Sequence, residues 1–135
     1  MRSEVIPTYQ YRDARKAIEF LVHAFGFELH AVYEDNGSVV HAQLTHGNGM
    51  IMLGPESDSG YGTHFISVTK AGKPTSSVYI LVEDPYAHAE HARQAGAEIV
   101  MEPTEEDYGG ANYTARDPEG FMWNFGSYDP WAEEG

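Results

Sequence analysis

Residues 9–28 read YQYRDARKAIEFLVHAFGFE, and residues 79–98 read YILVEDPYAHAEHARQAGAE. Each stretch begins with aromatic or apolar residues, passes through an aspartate and ends two residues after a glycine. Aligning Asp13 with Asp84 gives an offset of 71 residues (84 − 13). Self-similarity at a fixed spacing is the sequence signature of a repeated structural unit, so the chain is predicted to contain one unit twice.

The same helix signals recur in both stretches. Asp13 and Asp84 each follow a predicted strand and are placed to cap the N-terminus of a helix. In the first stretch, apolar residues recur at helical spacing until Gly26, which ends the helix. In the second stretch, Pro85 occupies the first helical position and the helix is predicted to run to about Ala95.

After each helix the pattern predicts three strands joined by hairpins. The glycines that open the last strand of each unit, Gly49 and Gly120, again lie 71 residues apart (120 − 49). Each unit is therefore predicted to be βαβββ, which makes the fold class α+β. The predicted strands that follow the helices cover residues 27–33, 38–45 and 50–54, and lie near residues 97–102, 111–116 and 121–127.

The two units are predicted to share a single domain of 135 residues. Module 1 takes about residues 1–54 and module 2 about residues 75–135. Residues 55–74, PESDSGYGTHFISVTKAGKP, join them and are rich in Gly, Ser and Pro. A connection this long is either mobile or functional, for example a lid over a binding site. Of these, we favour a flexible crossover.

The chain has 21 acidic and 8 basic residues, a formal net charge of −13. Such a surface repels phosphate groups, so nucleic acid and anionic membranes are not expected as partners, whereas cationic ligands are favoured. Cysteine is absent, which excludes disulfides, thiolate nucleophiles and sulfur-ligated metals. Because we find neither a signal pattern nor a long apolar run, we predict a cytoplasmic protein.

The repeated βαβββ unit resembles the vicinal oxygen chelate superfamily, as does the phrase RDPEG at residues 116–120 before an aromatic strand. This superfamily includes glyoxalase I, extradiol dioxygenases and bleomycin-resistance proteins, and the resemblance extends over essentially the whole chain. The closest likeness is to small members that bind peptide antibiotics such as thiocoraline. It implies a cup-shaped mixed sheet with helices on the outside, a ligand inside the cup and a homodimer.

The resemblance also implies where a metal would bind. In the superfamily, metal ligands point into the cup from the first and last strand of each module. Carried onto this sequence, those positions are Ile6, Leu53, Ser77 and Asn124. None is His or Glu, and transition-metal sites normally need about three imidazole or carboxylate ligands. We therefore predict no metal and no other cofactor.

Strand alternation predicts which side chains face into the cup. A three-residue turn at residues 47–49 would pair Gln43 with Leu53, and that register puts His41 and Ile51 on the concave face. The side chains that we predict to bind a ligand are His41, Gln43, Ile51, Leu53, Tyr79, Asn112, Met122 and Asn124.

The histidines differ in their expected roles. His88 and His91 lie three residues apart on the second helix, and we predict that they occupy a solvated face. His41 lies mid-strand on the predicted concave face, where a hydrogen bond to a ligand is favoured over general-base catalysis because no carboxylate neighbour is identifiable. No catalytic residue is assigned.

These observations favour a metal-free protein that binds and sequesters a small aromatic or cationic molecule, such as an antibiotic or another natural product. Two alternatives remain open. One is a metal-dependent lyase, isomerase or dioxygenase of the glyoxalase type, and the other is a metal-independent enzyme that uses His41 as a base. The chain has no phosphate-binding loop and no nucleophile elbow of the kind found in hydrolases.

Overall fold

The first module folds into a four-stranded sheet with one helix on one face. In the computed structural model, which describes residues 4–132, its strand order is β1-β4-β3-β2. The short strand β1 pairs parallel to β4, and the other strands pair antiparallel. Its elements are β1 (Thr8–Tyr11), α1 (Ala14–Phe25), β2 (Glu28–Asp35), β3 (Ser38–His46) and β4 (Gly49–Pro55).

Residues 56–77, which we call the connecting segment, join the two modules. The segment contains a 3-10 helix at Gly60–His64 and a short helix α2 at Val68–Ala71. The side chain of Ser67 caps α2 by accepting a hydrogen bond from the Lys70 amide at 3.1 Å. The crossover predicted from its composition therefore has helical structure of its own.

The second module repeats the first, with strand order β5-β8-β7-β6 and a parallel pair between β5 and β8. The predicted α+β fold of two tandem βαβββ modules is confirmed, and the two sheets remain separate rather than closing on each other. Its elements are β5 (Val78–Leu81), α3 (Pro85–Gln94), β6 (Glu98–Glu105), β7 (Ala111–Arg116) and β8 (Met122–Gly126).

The predicted helix signals act as expected. The Asp13 carboxylate accepts a hydrogen bond from the Lys16 amide at 3.1 Å, and Gly26 ends α1 with a φ of +86°. Asp84 caps α3 in the same way, and Pro85 takes its first position. Both caps satisfy backbone amides that have no partner within the helix.

One continuous core joins the modules, because α1 packs against α3 and buried residues of both modules contact each other. Trp123 of β8 is completely buried and lies within 6 Å, ring to ring, of both Phe25 and Phe27 of the first module. Each sheet therefore turns one face toward the helices and this core. We call the opposite face of each sheet its open face.

A buried carboxylate ties the modules together at one end of this core. Asp117 accepts hydrogen bonds from the Tyr11 hydroxyl at 2.6 Å and from the Trp123 indole at 3.1 Å. Burial raises the pKa of Asp117, while these bonds and the backbone amides of Glu119 and Phe121 oppose that rise. A polar group in this position is tolerated because all its partners are in place.

The register of β3 with β4 differs from the prediction. The turn is two residues long (Gly47-Asn48), with a φ of +58° at Gly47, so Gln43 pairs with Met52 rather than with Leu53. A shift of one residue sends every side chain of β4 to the other face. Ile51 and Leu53 are consequently core residues, 4% and 2% exposed, and their predicted concave placement is wrong.

Across residues 4–132, we find no helix with the length and apolarity needed to span a membrane.

Candidate functional site

A cavity of about 510 Å³ lies between the open face of the first sheet and the connecting segment. Strands β1, β3 and β4 form its floor, and the connecting segment forms the opposite wall. Cavities of roughly this size are typical of small-molecule sites. It is lined by Thr8, Tyr9, Gln10, Val40, His41, Met52, Leu53, Gly54, Pro55, Tyr61, Phe65, Ile66, Val68, Pro74, Thr75, Ser76 and Phe121.

The described lining contains no Asp, Glu, Lys or Arg, although 21% of the chain is charged. Apart from two tyrosines, its polar side chains are Thr8 and Gln10 from β1, His41 from β3, and Thr75 and Ser76 from the connecting segment. An apolar wall with a few polar groups is suited to an uncharged ligand, since the wall supplies affinity and the polar groups fix orientation. Transferring a charged group here would remove its hydration without providing an opposite charge.

The connecting segment contributes an aromatic wall that composition alone did not predict. Tyr61 and Phe65 lie with ring centroids 4.7 Å apart, and both line the cavity together with Ile66. All three side chains are more than half exposed. Large apolar side chains held open over a cavity are positioned to bury their surface against a bound molecule.

His41 borders the cavity as predicted from strand alternation. Its Nε2 lies 3.2 Å from the Gln43 Nε2, so the imidazole accepts a hydrogen bond from the amide in one tautomer. Gln43 lies on the same open face as His41 and orients it through this hydrogen bond. Gln43 does not line the cavity. That either residue contacts a ligand stays a prediction.

The side chain that replaces the predicted Ile51 and Leu53 on the open face is Met52. It pairs with both Gln43 and Thr8 and lines the cavity floor. Leu53 touches the cavity from below but packs into the core. A methionine floor adapts to ligand shape, because its unbranched side chain has three rotatable bonds.

The predicted residues of module 2 lie on the open face of the second sheet, away from the cavity. Both polar atoms of the Asn124 side chain have hydrogen-bond partners within the protein. Its Oδ1 accepts from the Thr114 hydroxyl at 2.7 Å, and its Nδ2 donates to the Ser77 hydroxyl at 2.9 Å and to the Val78 carbonyl at 3.2 Å. Met122 receives a weak contact at 3.7 Å from the Arg116 guanidinium. Neither side chain presents an unpaired polar group to a ligand.

Two further predicted residues are fixed on the same sheet. The Tyr79 hydroxyl donates to the Tyr128 carbonyl at 2.7 Å, and the Asn112 amide donates to the Tyr108 hydroxyl at 3.0 Å. The Tyr79 ring lies across Gly126, where any Cβ would come within 2.4 Å of the tyrosine hydroxyl. Of the eight predicted residues, the structure thus places His41 at the cavity of module 1, Gln43 beside it on the same open face, Ile51 and Leu53 in the core, and the other four on the open face of module 2.

The implied metal positions do not fit a metal. Ser77 and Asn124 do meet, but they hydrogen-bond to each other and offer only an alcohol and a neutral amide. In module 1, Leu53 is buried in the core, and Met52, which takes its place on the open face, offers a thioether. Divalent iron, zinc or nickel would need imidazole or carboxylate ligands here. Within residues 4–132, no three His, Asp or Glu side chains come together as a potential metal site.

His88 lies at the contact between the modules, so its predicted solvated position is wrong. Its Nε2 donates to the Phe25 carbonyl at 2.9 Å, and its Nδ1 accepts from the Tyr113 hydroxyl. His46 of β3 lies beside it, with ring centroids 6.4 Å apart. Burial lowers the pKa of both histidines, and the Phe25 carbonyl opposes that shift. These residues are structural and face away from the cavity.

Sequence reasoning missed the aromatic wall because the connecting segment was interpreted from its Gly, Ser and Pro content. The signal that would have identified the wall is the pair Tyr61 and Phe65, followed at once by Ile66, within an otherwise polar stretch. Three large apolar side chains in six residues are unusual for a flexible connection.

Known proteins resemble this chain in sequence or in structure. Uncharacterized proteins of Mycobacterium bovis and Mycobacterium tuberculosis are each 30% identical over 115 residues, which is 84% of this chain and 76% and 68% of theirs. The structure of TioX from Micromonospora sp. ML1 is 30% identical and superposes with a TM-score of 0.72, covering 92% of this chain and 97% of TioX.

Two further structures share the fold at lower identity. UcmS2 is 23% identical with a TM-score of 0.72, covering 95% of this chain and 100% of UcmS2. A glyoxalase I mutant from Zea mays is 22% identical with a TM-score of 0.71, covering 91% of this chain and 44% of that protein.

The family model of the Glyoxalase/Bleomycin resistance protein/Dioxygenase superfamily matches residues 7–125, which include both modules and the connecting segment between them. The chain belongs to this superfamily.

Proposed function

We propose that this protein binds and sequesters a small, largely uncharged aromatic molecule, such as an antibiotic or another natural product, in the cavity of module 1. The observation that carries the proposal is that the described lining of that cavity contains no Asp, Glu, Lys or Arg. A concave, mainly apolar surface with a few oriented polar groups is the usual construction of a ligand site. The superfamily name covers both resistance proteins and enzymes. Membership alone therefore does not give the function, which we argue from the residues of the cavity.

The residues that line the cavity favour ligand binding over catalysis. His41 is the one imidazole in the described lining, and the same lining has no carboxylate to pair with it. A general base is normally oriented and tuned by such a partner. The polar atom close to His41 is instead the amide of Gln43, which does not polarise an imidazole as a carboxylate does.

The ligand would lie flat between the methionine floor and the aromatic wall. Met52 provides a polarizable surface below, and Tyr61 and Phe65 provide ring faces above. Sulfur–aromatic and ring–ring contacts each contribute about 0.5–1.5 kcal/mol beyond the area that they bury. Thr8 and His41 at the edge of the floor would set the orientation by hydrogen bonds.

A charge placed in the cavity tests this proposal. The neutral dye Nile red serves as the probe, and its fluorescence reports transfer into an apolar site. We expect Met52→Lys to weaken Nile red binding at least about tenfold, because burying the dye would also desolvate an unpaired ammonium. The matched control is Met101→Lys on strand β6, where the methionine is exposed and outside the cavity.

Displacement then identifies the ligand class. A panel of peptide antibiotics and uncharged aromatic natural products is titrated against the protein–dye complex. Competition by at least one compound, lost in Met52→Lys and kept in Met101→Lys, supports sequestration. Equal dye binding by all three proteins would show that the cavity is not the site.

We also propose that the protein forms a homodimer. Each sheet ends in edge strands, whose outer backbone groups have no neighbouring strand, and exposed apolar side chains such as Leu29, Tyr33 and Leu81 lie on the sheets. Exposed edges and apolar patches of this kind are commonly covered by a second copy. Light scattering at micromolar concentration should give twice the mass of 15.0 kDa. A monomer under these conditions would exclude this assembly while leaving the cavity proposal intact.

A further inference from the structure

A second group of aromatic side chains lies on module 2, apart from the cavity. The rings of Tyr79, Tyr108 and Tyr128, which we call the tyrosine cluster, gather at the end of the second sheet where β7 begins. Tyr108 and Tyr128 meet edge to face with centroids 4.9 Å apart. Tyr79 joins them through the Tyr128 carbonyl, to which its hydroxyl donates at 2.7 Å, and through Asn112, which lies with the Tyr79 ring against Gly126 and donates to the Tyr108 hydroxyl at 3.0 Å.

The tyrosine cluster is fixed in place and yet open to solvent. The hydroxyl of Tyr79 donates to the Tyr128 carbonyl, and the hydroxyl of Tyr108 accepts from Asn112. Nevertheless, Tyr79 and Tyr128 are each 38% exposed and Tyr108 is 58% exposed. The core of module 2 is built by other aromatic residues, so packing does not require these rings. Anchored tyrosines with open faces are a typical recognition surface, because little entropy is lost on binding.

The backbone around the tyrosine cluster is also tightly constrained. Gly110 has a φ of +71°, and a Cβ there would come within 2.7 Å of the Tyr128 backbone nitrogen. The Ser127 hydroxyl accepts from the Ala111 amide at 3.0 Å, which locks the hairpin carrying Tyr108 against the strand end carrying Tyr128. The positions of the rings are therefore set before any ligand arrives.

The charges around the tyrosine cluster have one sign. Glu105, Glu106 and Asp107 precede Tyr108 in the same hairpin, and Asp129 follows Tyr128. Between residues 94 and 132 the sole basic residue is Arg116. Arg116 lies at the opposite end of β7 and pairs with Glu98 at 3.6 Å. In the sequence, the four carboxylates that flank Tyr108 and Tyr128 therefore have no basic residue next to them.

We propose that the tyrosine cluster is a binding site for a small organic cation, of the alkyl- or quaternary-ammonium class. Ring faces carry negative electrostatic potential and attract such cations, and nearby carboxylates strengthen the attraction over a longer range. The cavity of module 1 has the opposite character, since its lining is free of charge. The site is thus separate from the cavity and does not depend on the function proposed for it.

The experiment uses choline and its uncharged isostere 3,3-dimethylbutan-1-ol, which differ in charge but hardly in shape. Dissociation constants are measured by NMR titration of the full-length protein at low ionic strength. We expect choline to bind at least about threefold more tightly than the alcohol, and Tyr108→Leu to remove most of this difference. Equal affinities for the two probes, or no binding of choline, would overturn the proposal.

Matched variants separate a direct contact from a loss of structure. Tyr108→Phe keeps the ring face and should bind choline nearly as the parent does, whereas Asp129→Asn should weaken binding and reduce its salt dependence. Tyr86→Leu changes an exposed tyrosine on α3 outside the tyrosine cluster and should have no effect. His41→Ala should also leave choline binding unchanged, and a loss in that variant would show that choline occupies the cavity instead.

Discussion

Module 1 and module 2 share one strand order and one pair of helix caps, but their open faces differ. The open face of module 1 is covered by the connecting segment and encloses a cavity with no charged side chain in its described lining. The open face of module 2 lies outside this cavity, and its polar groups bond to one another, as Asn124 does with Thr114 and Ser77. We propose a neutral ligand for the first face and an organic cation for the tyrosine cluster of the second.

The difference shows that the repeated fold fixes a scaffold without fixing what its faces carry. Two local features account for it. The first is the connecting segment, which lies over module 1. The second is the loop between the last two strands of each module, which has two residues between β3 and β4 and five residues, 117–121, between β7 and β8. The longer loop places Asp117 in the shared core, and the shorter one sets Met52 on the cavity floor.

The largest expected effect is on the core that both modules share. Trp123→Ala should lower the free energy of unfolding by about 3–5 kcal/mol, since it removes a buried ring and leaves Asp117 without one donor. Urea unfolding followed by circular dichroism measures the change, and a second probe in module 1 should lose signal at the same urea concentration. Trp131→Ala is the control, because this tryptophan is 89% exposed.

If module 1 kept its structure after Trp123→Ala while module 2 unfolded, the modules would be independent and the continuous core would be misassigned.

A pair of neighbouring residues tests the register of β4. Leu53→Ala should cost about 2–5 kcal/mol of stability because the side chain is buried among core residues. Met52→Ala, one residue away on the open face, should cost far less stability and weaken Nile red binding. Urea unfolding and dye titration are measured on both variants. The reverse outcome would restore the three-residue turn that the sequence suggested.

A smaller effect is expected from Asn124 of module 2. Asn124→Ala leaves Thr114, Ser77 and Val78 each without one partner, so stability should fall by about 1–3 kcal/mol. Nile red binding should stay within about twofold of the parent protein, because Asn124 does not line the cavity. A strong loss of dye binding at unchanged stability would instead place Asn124 in the ligand site.

The smallest expected effect is a pH dependence of stability. Burial lowers the pKa of His46 and His88, so the folded state holds them neutral while the unfolded chain protonates near pH 6.5. Their stabilising contribution is complete above about pH 6.5 and is lost as the pH falls toward the lowered values. Urea unfolding at pH 7.5 and 5.5 should therefore show lower stability at pH 5.5.

Asp117 acts with the opposite sign, because its pKa is raised and its protonation favours the folded state as the pH falls. Replacing both histidines with glutamine separates the two contributions, since the variant should lose the destabilisation at pH 5.5. His30→Gln is the matched control, as His30 is exposed on β2. If the double-glutamine variant changed in stability between pH 7.5 and 5.5 by the same amount as the parent protein, the assignment of the two histidines would be contradicted.

The sequence alone predicted the repeat, the caps at Asp13 and Asp84, and the βαβββ order of each module. These features depend on local chemistry, because a capping carboxylate or a glycine with positive φ acts within a few residues of itself. It also predicted that His41 and Asn124 face away from the helices, since strand alternation needs a single anchor.

Tertiary structure decided the rest. Turn length at Gly47-Asn48 set the face of every side chain on β4, and one residue of difference moved Ile51 and Leu53 from the predicted site into the core. Packing of α1 against α3 placed His88 between modules, and folding of the connecting segment placed Tyr61 and Phe65 over the cavity. Such contacts join residues far apart in the chain, and sequence patterns, which report on neighbours, do not encode them.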